Sequence, residues 1–464
     1  MIFKLDRKQV CYFCAGARNH ALLDYFGEDY LRPEYDERMA SFKALGLTKV
    51  TGLPAIICTT SGTAVSQTVS ALLEAKYSNL PLVLISGDRP KKMHGTGAPQ
   101  TINHEEVTKN SVGTFIEITL EELENLEIIA PVFPLHINVL INDTEEHSLP
   151  TMISQTLNDF REFSQKVTSP LFLVSHENKT LRPLVKKLLE LNLNVYAETL
   201  SGARDLNCTI GEFELLKIQN QFDSVIRIGH TPLSKLWRIL ESEHRPVFSF
   251  DERNLPGLSY GQVAPISGET LLHSQEFFEI IKRFQDTKVN SPCSQLEKLL
   301  LKYPQSELSV MRQIQDFLPE NSLVYLGNSL IIRYFEMVQN KSFQVFGTRG
   351  VNGIDGQIAQ SIGIAQGTTE KVFCIVGDMT AQYDLNSIRH LPDNLTLIII
   401  NNGGGRIFET LKLKPIMVME HDFSFHAVSN AFQKTYSNRI DAAQVLELRP
   451  LQNETRSLLS ELNS

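Results

Sequence analysis

The chain has 464 residues, and none of its apolar stretches approaches the ~18 uninterrupted residues that a membrane-spanning helix needs. No membrane association is therefore expected. The opening Met1-Ile2-Phe3-Lys4-Leu5-Asp6-Arg7-Lys8 lacks the apolar centre of a secretory signal, which points to the cytoplasm. Positive charge is in short supply: 44 Lys and Arg stand against 53 Asp and Glu, and no basic run reads as a phosphate-binding patch. Nucleic acid is not an expected partner. Six cysteines in so long a chain make no disulfide framework. Cys11 and Cys14 form a Cys-x-x-Cys, but no second pair stands at zinc spacing, and the strand-like Val10-Cys11-Tyr12-Phe13-Cys14 reads as core. Both are expected to be buried structural thiols.

What is present is ordinary globular composition, with 42% apolar and 21% charged residues, and no sign of disorder. The length suggests about three domains of roughly 150 residues. In the first block, strands at Val10 to Cys14, Pro54 to Cys58 and Leu82 to Ile85 alternate with helices at Ala21 to Phe26, Arg38 to Leu45 and Ala64 to Tyr77. The hydroxyls of Thr59-Thr60-Ser61-Gly62-Thr63 suit a helix N-cap, completing a βαβ unit. A second block carries strands at Leu171 to Val174, Ser224 to Ile228 and Pro246 to Phe250 and a helix over Leu181 to Leu193. A polar segment from Gln285 to Gln295 reads as a linker. The third block has a helix near Val310 to Phe317, a strand at Leu323 to Leu326, the glycine-rich Gly350 to Gly356 and a helix over Ile358 to Gln366. Two further apolar strands follow. The expected limits are 1–165, 166–290 and 296–464, each an α/β unit of doubly wound type. No internal repeat is evident.

The most informative residues end those last two strands. Val376-Gly377-Asp378-Met379-Thr380 and Ile398-Ile399-Ile400-Asn401-Asn402-Gly403-Gly404 each put polar groups at the C-terminus of an apolar strand, where open α/β sheets bind ligands. A carboxylate, an amide oxygen and a glycine-rich turn form an oxygen donor set for a hard cation holding a diphosphate. Either half alone would read as a strand end or an ordinary Asn-Gly turn. Glu37, in Tyr35-Asp36-Glu37-Arg38-Met39-Ala40, reads on its own as a first-turn acid favoured by the helix dipole.

Taken together, the motifs resemble those of thiamine-diphosphate enzymes. Cys14-Ala15-Gly16-Ala17-Arg18-Asn19, Asp36-Glu37-Arg38, Thr59 to Val65, Asp88-Arg89-Pro90 and Gly97-Ala98-Pro99-Gln100 stand in the order of one family. Gly327-Asn328-Ser329-Leu330-Ile331-Ile332-Arg333, Arg349 to Gly356, Gly377-Asp378 and Asn401 to Phe408 continue it. That family is 2-succinyl-5-enolpyruvyl-6-hydroxy-3-cyclohexene-1-carboxylate synthase, of menaquinone biosynthesis. The resemblance spans the first and third blocks and loosely the middle one. It implies three doubly wound domains, namely a pyrimidine-binding, a shortened central and a diphosphate-binding domain. It implies thiamine diphosphate with Mg2+ or Mn2+ on Asp378, Asn402 and the backbone carbonyl of Gly404. Glu37 becomes the catalytic acid at the pyrimidine N1′, reached from a partner subunit, so that a homodimer or a dimer of dimers carries active sites between chains. Ser61, Asn328, Ser329, Gly377, Met379, Thr380 and Ile407 complete the implied cofactor contacts.

The family's reaction joins 2-oxoglutarate to isochorismate with loss of carbon dioxide, and both substrates are polyanions suited to arginine forks. Arg18, Arg333 and Arg349 match the family's substrate arginines, Gln100 and Ser329 its polar contacts, Phe408 an apolar contact and Lys235 a middle-domain lysine. On their own the arginines read as surface ion pairs, and Ile407 and Phe408 as helix core. Three positions depart from the pattern: Ala17 for Ser, Pro99 for Asn, and Leu236 for the Arg of a Lys-Arg pair. They leave two alternatives, a thiamine-dependent 2-oxo-acid decarboxylase or carboligase with another acceptor, and a catalytically silent homologue.

Overall fold

Apolar runs flanked by glycine and hydroxyl residues make strands buried on both faces, and nearly every strand here lies in a parallel sheet. The computed structural model describes residues 2–462 apart from 7, 52, 78–79, 130, 142–153, 178, 207–211, 288, 290–294, 348, 350–351 and 411–413. Gly350 and Val351 of the glycine-rich loop, and Ser291-Pro292 of the linker, lie outside the described residues. The chain divides into two units. One comprises Met1–Pro150, Arg349–Asp355 and Gly403–Phe423; the other comprises Thr151–Thr348, Gly356–Asn402 and Ser424–Ser464.

The first unit holds a six-stranded parallel sheet in the order Leu31–Glu34, Cys11–Cys14, Ala55–Thr59, Leu82–Asp88, Leu135–Leu140, Thr114–Thr119. Alternation along each strand feeds two cores. Ile56, Cys58, Val83 and Ile85 face one cluster with Leu22, Leu23 and Phe26, whereas Ala55, Ile57, Leu82 and Leu84 face another with Ala44, Leu45, Val65 and Leu72. Cys11, Cys14, Cys58 and Cys374 are buried free thiols. Burial holds the Cys11 and Cys14 thiols well above their ordinary pKa, as structural cysteines require.

The second unit contains two parallel sheets. The five-stranded one runs Val195–Ala197, Pro170–Val174, Ser224–Ile228, Val247–Phe250, Gln262–Ala264. The six-stranded one runs Gln344–Gly347, Leu323–Leu326, Val372–Gly377, Leu395–Ile400, Val445–Leu448, Tyr436–Ser437. With strands numbered by chain order within each sheet, both six-stranded sheets read 2-1-3-4-6-5. The fold thus repeats where the sequence does not. Each sheet reverses direction between its first and third strands, which is where doubly wound folds place ligands.

Several elements differ from their sequence readings: the helix read over Arg38 to Leu45 runs on to Thr51, and the one read over Leu181 to Leu193 is Arg182–Glu190. Ala21 to Phe26 is a 3-10 turn, His20–Asp24, rather than an α-helix. The expected helix from Ala64 to Tyr77 is two, Thr63–Gln67 and Val69–Tyr77, because the Thr68 hydroxyl donates back to the Val65 carbonyl at 2.7 Å and bends the chain. The third-block helix starts earlier than expected, at Glu307, capped by Ser306.

Candidate active site

Parallel pairing puts all strand C-termini of a sheet on one edge, and every site residue expected in the first block follows such an end. Arg18 follows Cys11–Cys14, Glu37 follows Leu31–Glu34, Ser61 follows Ala55–Thr59, and Gln100 follows Leu82–Asp88. The Arg18 loop is shaped by two glycines. A Cβ at Gly16 would lie 2.3 Å from Thr60 Cβ, and one at Gly87 would lie 2.7 Å from the Arg18 carbonyl oxygen. Buried Asn19 closes the loop, accepting from the Gly16 amide at 2.9 Å and donating to the Cys14 carbonyl at 2.9 Å. Burial lowers the Arg18 guanidinium from its ordinary pKa against the opposing pull of Asp88, and its Nε finds no hydrogen-bond partner among the described residues. The buried Ser61 hydroxyl likewise finds none.

Glu37 opens the helix Glu37–Thr51, where Asp36 accepts from the Met39 amide at 2.8 Å. Its carboxylate charge is among the causes, after burial, that raise the Cys14 thiol. Gln100 adopts φ of 60°, an uncommon conformation for a residue with a Cβ. Asp355, on the glycine-rich loop after half-buried Arg349, accepts from Thr63 Oγ1 at 3.0 Å and from Gln67 Nε2 at 3.3 Å. Gly404 has φ of 137°, and a Cβ there would lie 2.6 Å from the Val418 carbonyl oxygen. Only glycine can hold that backbone. Ile407 and Phe408 begin a short helix, half-buried, with Phe408 packed on the core beside Met417.

In the second unit the reversal point of the six-stranded sheet brings two more groups to adjacent strand ends. After Leu323–Leu326 come buried Asn328, whose amide donates to Gln357 Oε1 at 3.2 Å, and Ser329, strained at φ of 69° where the helix Leu330–Val338 begins. After Val372–Gly377 comes Asp378, 2% exposed, with Oδ1 accepting from the Met379 amide at 2.7 Å and Thr380 buried beyond it. The next strand pairs Gly377 with Ile400, so Asn401 and Asn402 follow alongside. Asn401 donates to Glu447 at 2.7 Å, and Asn402 Nδ2 donates to Glu307 Oε2 at 3.1 Å. Arg333 Nη1 donates to the Leu233 carbonyl at 3.2 Å, while the Leu233 and Ser234 amides donate to buried Glu198 at 2.6 and 2.8 Å. Arg333 is thereby brought to the turn bearing exposed Lys235. Leu236 is fully buried in the middle-domain core with Trp237 and Leu258.

The donor set suits a hard cation with a diphosphate. Asp378 supplies a carboxylate, the nitrogen of the Asn402 amide is engaged by Glu307, and that leaves the amide oxygen as the acceptor it presents. Among the described residues no group of three or more His, Cys, Asp or Glu is placed to hold a metal.

Sequence reasoning missed a polar network beneath the Arg18 loop. Asp88 lies 3.4 Å from His94 Nε2 and 3.4 Å from His104 Nδ1, while Ser86 joins His104, His136 and Asn138. His104 Nε2 accepts from the Gly62 amide at 3.4 Å, beside Ser61. Histidines scattered over a loop, a helix and a strand leave no local pattern to read. Glu307 was missed for the same reason.

Residues 6–107 match the family model for the thiamine pyrophosphate enzyme, N-terminal TPP binding domain. The 2-succinyl-5-enolpyruvyl-6-hydroxy-3-cyclohexene-1-carboxylate synthase of Bdellovibrio bacteriovorus is 32% identical, aligned over 97% of this chain and 94% of its own length. The Akkermansia muciniphila protein of the same name is 29% identical over 96% of this chain and 91% of its own. A solved structure of benzoylformate decarboxylase from Polynucleobacter necessarius is 15% identical, aligned over 98% of this chain and 94% of that one, with a TM-score of 0.47. Nearly full-length similarity above 30% identity, together with the thiamine-enzyme domain, establishes that this chain belongs to the 2-succinyl-5-enolpyruvyl-6-hydroxy-3-cyclohexene-1-carboxylate synthase family, thiamine-diphosphate-dependent transferases of menaquinone biosynthesis.

Proposed function

We propose that the enzyme decarboxylates 2-oxoglutarate and adds the resulting four-carbon unit to isochorismate, in the cytoplasm, as a homodimer or a dimer of dimers with active sites between subunits. The observation that carries this reading is the reversal point of the six-stranded sheet in the second unit, where Asn328, Ser329 and buried Asp378 stand at neighbouring strand ends with Asn402 one strand further on. We take the domain limits as 1–165, 166–290 and 296–464, because the three parallel sheets fall within 11–140, 170–264 and 323–448.

Thiamine diphosphate, when bound, supplies the electron sink for cleaving the bond between a 2-oxo carbon and its carboxylate. The chain's own groups would do the rest. Asp378, Asn402 and the Gly404 carbonyl would hold Mg2+ or Mn2+, all through oxygen. Gly377, Met379 and Thr380 with Asn328 and Ser329 would line the diphosphate, and Ser61 and Ile407 the rest of the cofactor. Glu37, from the partner chain, would hold a proton at the pyrimidine N1′. Arg18, Arg333 and Arg349 would receive substrate carboxylates, with Gln100, Lys235, Ser329 and Phe408 around them. The partial dehydration of Arg18 favours pairing with an incoming anion over remaining unpaired. The burial of Leu236 supports Lys235 alone as the contact from that turn.

The test supplies purified protein with thiamine diphosphate, Mg2+ and 2-oxoglutarate, with and without isochorismate. Carbon dioxide release coupled to one equivalent of the adduct is expected. Release that never yields adduct would replace the acceptor, and no release at all would refute the reading.

A further inference from the structure

We infer that Glu307 is a positioning residue for the metal site: it fixes which end of the Asn402 amide faces the cation. This rests on the reading of Asn402 as a metal ligand given above. An asparagine amide presents oxygen on one side and NH2 on the other, and a half-turn exchanges them. A cation needs the oxygen. An ionised carboxylate can only accept, so it selects the NH2 side and sends the oxygen the other way. Glu307 is built for that task. It opens the helix Glu307–Phe317 and is 2% exposed. Its two oxygens divide their work, Oε2 accepting from Asn402 Nδ2 at 3.1 Å and Oε1 from Gln452 Nε2 at 3.1 Å. Its backbone amide is tied in turn to Thr455 Oγ1 at 2.9 Å, and Ser306 caps the same turn.

Three hydrogen bonds on one residue exceed what starting a helix requires. The last two partners, Gln452 and Thr455, belong to the C-terminal helix Gln452–Leu462, so that helix, distant in sequence from every motif of the site, holds the carboxylate in place. Partners that orient a ligand from outside the coordination sphere typically change metal affinity by about 10–100-fold when removed.

The experiment measures Mg2+-dependent binding of thiamine diphosphate by calorimetry, and Mn2+ affinity by electron paramagnetic resonance, on the full-length protein. The variants are Glu307→Leu, Glu307→Asp, Glu307→Gln and Asn402→Ala. Leu removes the acceptor and Asp withdraws it by one methylene; both are expected to weaken metal binding by about 10-fold or more. Gln keeps an acceptor oxygen within reach of Asn402, and its affinity is expected within about threefold of the parent. A purely structural role would lower the urea midpoint in step with metal affinity, whereas a positioning role weakens metal binding in the Asp variant at a midpoint close to the parent's. Because Asp conserves charge and nearly conserves volume, it keeps the test open if the Leu variant does not fold. Parent-like affinity in the Leu or Asp variant, with Asn402→Ala impaired, overturns the role of Glu307. Parent-like affinity in Asn402→Ala overturns the ligand assignment instead.

Discussion

At the scale of single residues, three side chains of the proposed site hold conformations or surroundings that are costly unless something uses them. Ser329 and Gln100 hold positive φ, and Arg18 is stripped of much of its water. Glu37→Gln keeps the shape at the proposed N1′ contact and removes the carboxylic acid. Turnover is expected to fall by about 100-fold or more while thiamine diphosphate affinity stays within about threefold, and unchanged turnover would refute the proton role. Gly87→Ala tests the Arg18 loop from beneath, since its Cβ would meet backbone atoms of Arg18 and Asn19 that cannot swing aside. The KM for 2-oxoglutarate should rise about 10-fold with a smaller change in kcat; an unaltered KM would remove Arg18 from the proposed substrate contacts.

Among elements, the helix Glu307–Phe317 shows how local signals succeed and fail. Its apolar spacing was legible in the sequence near Val310 to Phe317, but the cap at Ser306 and the first-turn acid Glu307 lie before that apolar run and went unread. The partners that give Glu307 more to do, Asn402 and Gln452, are remote in sequence. The proposed cofactor motifs were legible for the opposite reason: strand, glycine and proposed ligand are contiguous there, and Asp378 and Asn402 follow adjacent parallel strands. The break at Thr68 escaped periodicity because a threonine bonding back to its own helix leaves the apolar spacing intact. Ser306→Ala removes the cap and should cost about 1 kcal/mol in urea denaturation. A midpoint equal to the parent's would show that tertiary packing alone sets the helix start.

For the whole molecule, pH and assembly give separate tests. Burial alone would lower His94, but its hydrogen bond and charge contact with Asp88 raise it above its ordinary value of 6.5. Asp88, despite burial, is held below its own ordinary value by His94 and His104. A raised histidine contributes stability that is whole below about 6.5 and lost as pH climbs through the folded value. His94→Gln should therefore be less stable than the parent near pH 6, with the gap closing as pH rises above 6.5 through the raised value; a gap constant with pH would show that His94 contributes packing and not charge. The proposed assembly predicts complementation. Glu37→Gln and Asp378→Asn, each inactive alone, should regain about a quarter of parent activity after mixing and subunit exchange, because half the dimers are mixed and each of those has one intact site. No recovery, with exchange verified, would place both residues of a site in one chain.

The strand order shared by the two six-stranded sheets also bears on how the chain refolds. Leu323–Leu326 and Cys11–Cys14 are both first strands, each entering between its sheet's second and third strands, and both are short, apolar and destined for parallel partners on either side. Because the strand orders match, a refolding chain offers each of these strands an equivalent position in the wrong sheet as well as its own. Parallel pairing is slow because its contacts are distant in sequence, which prolongs that choice. Dilution suppresses aggregation between chains, yet it leaves this error untouched because both sheets belong to the same polypeptide. Synthesis from the N-terminus removes the ambiguity, since the first sheet can close before the rival strand emerges.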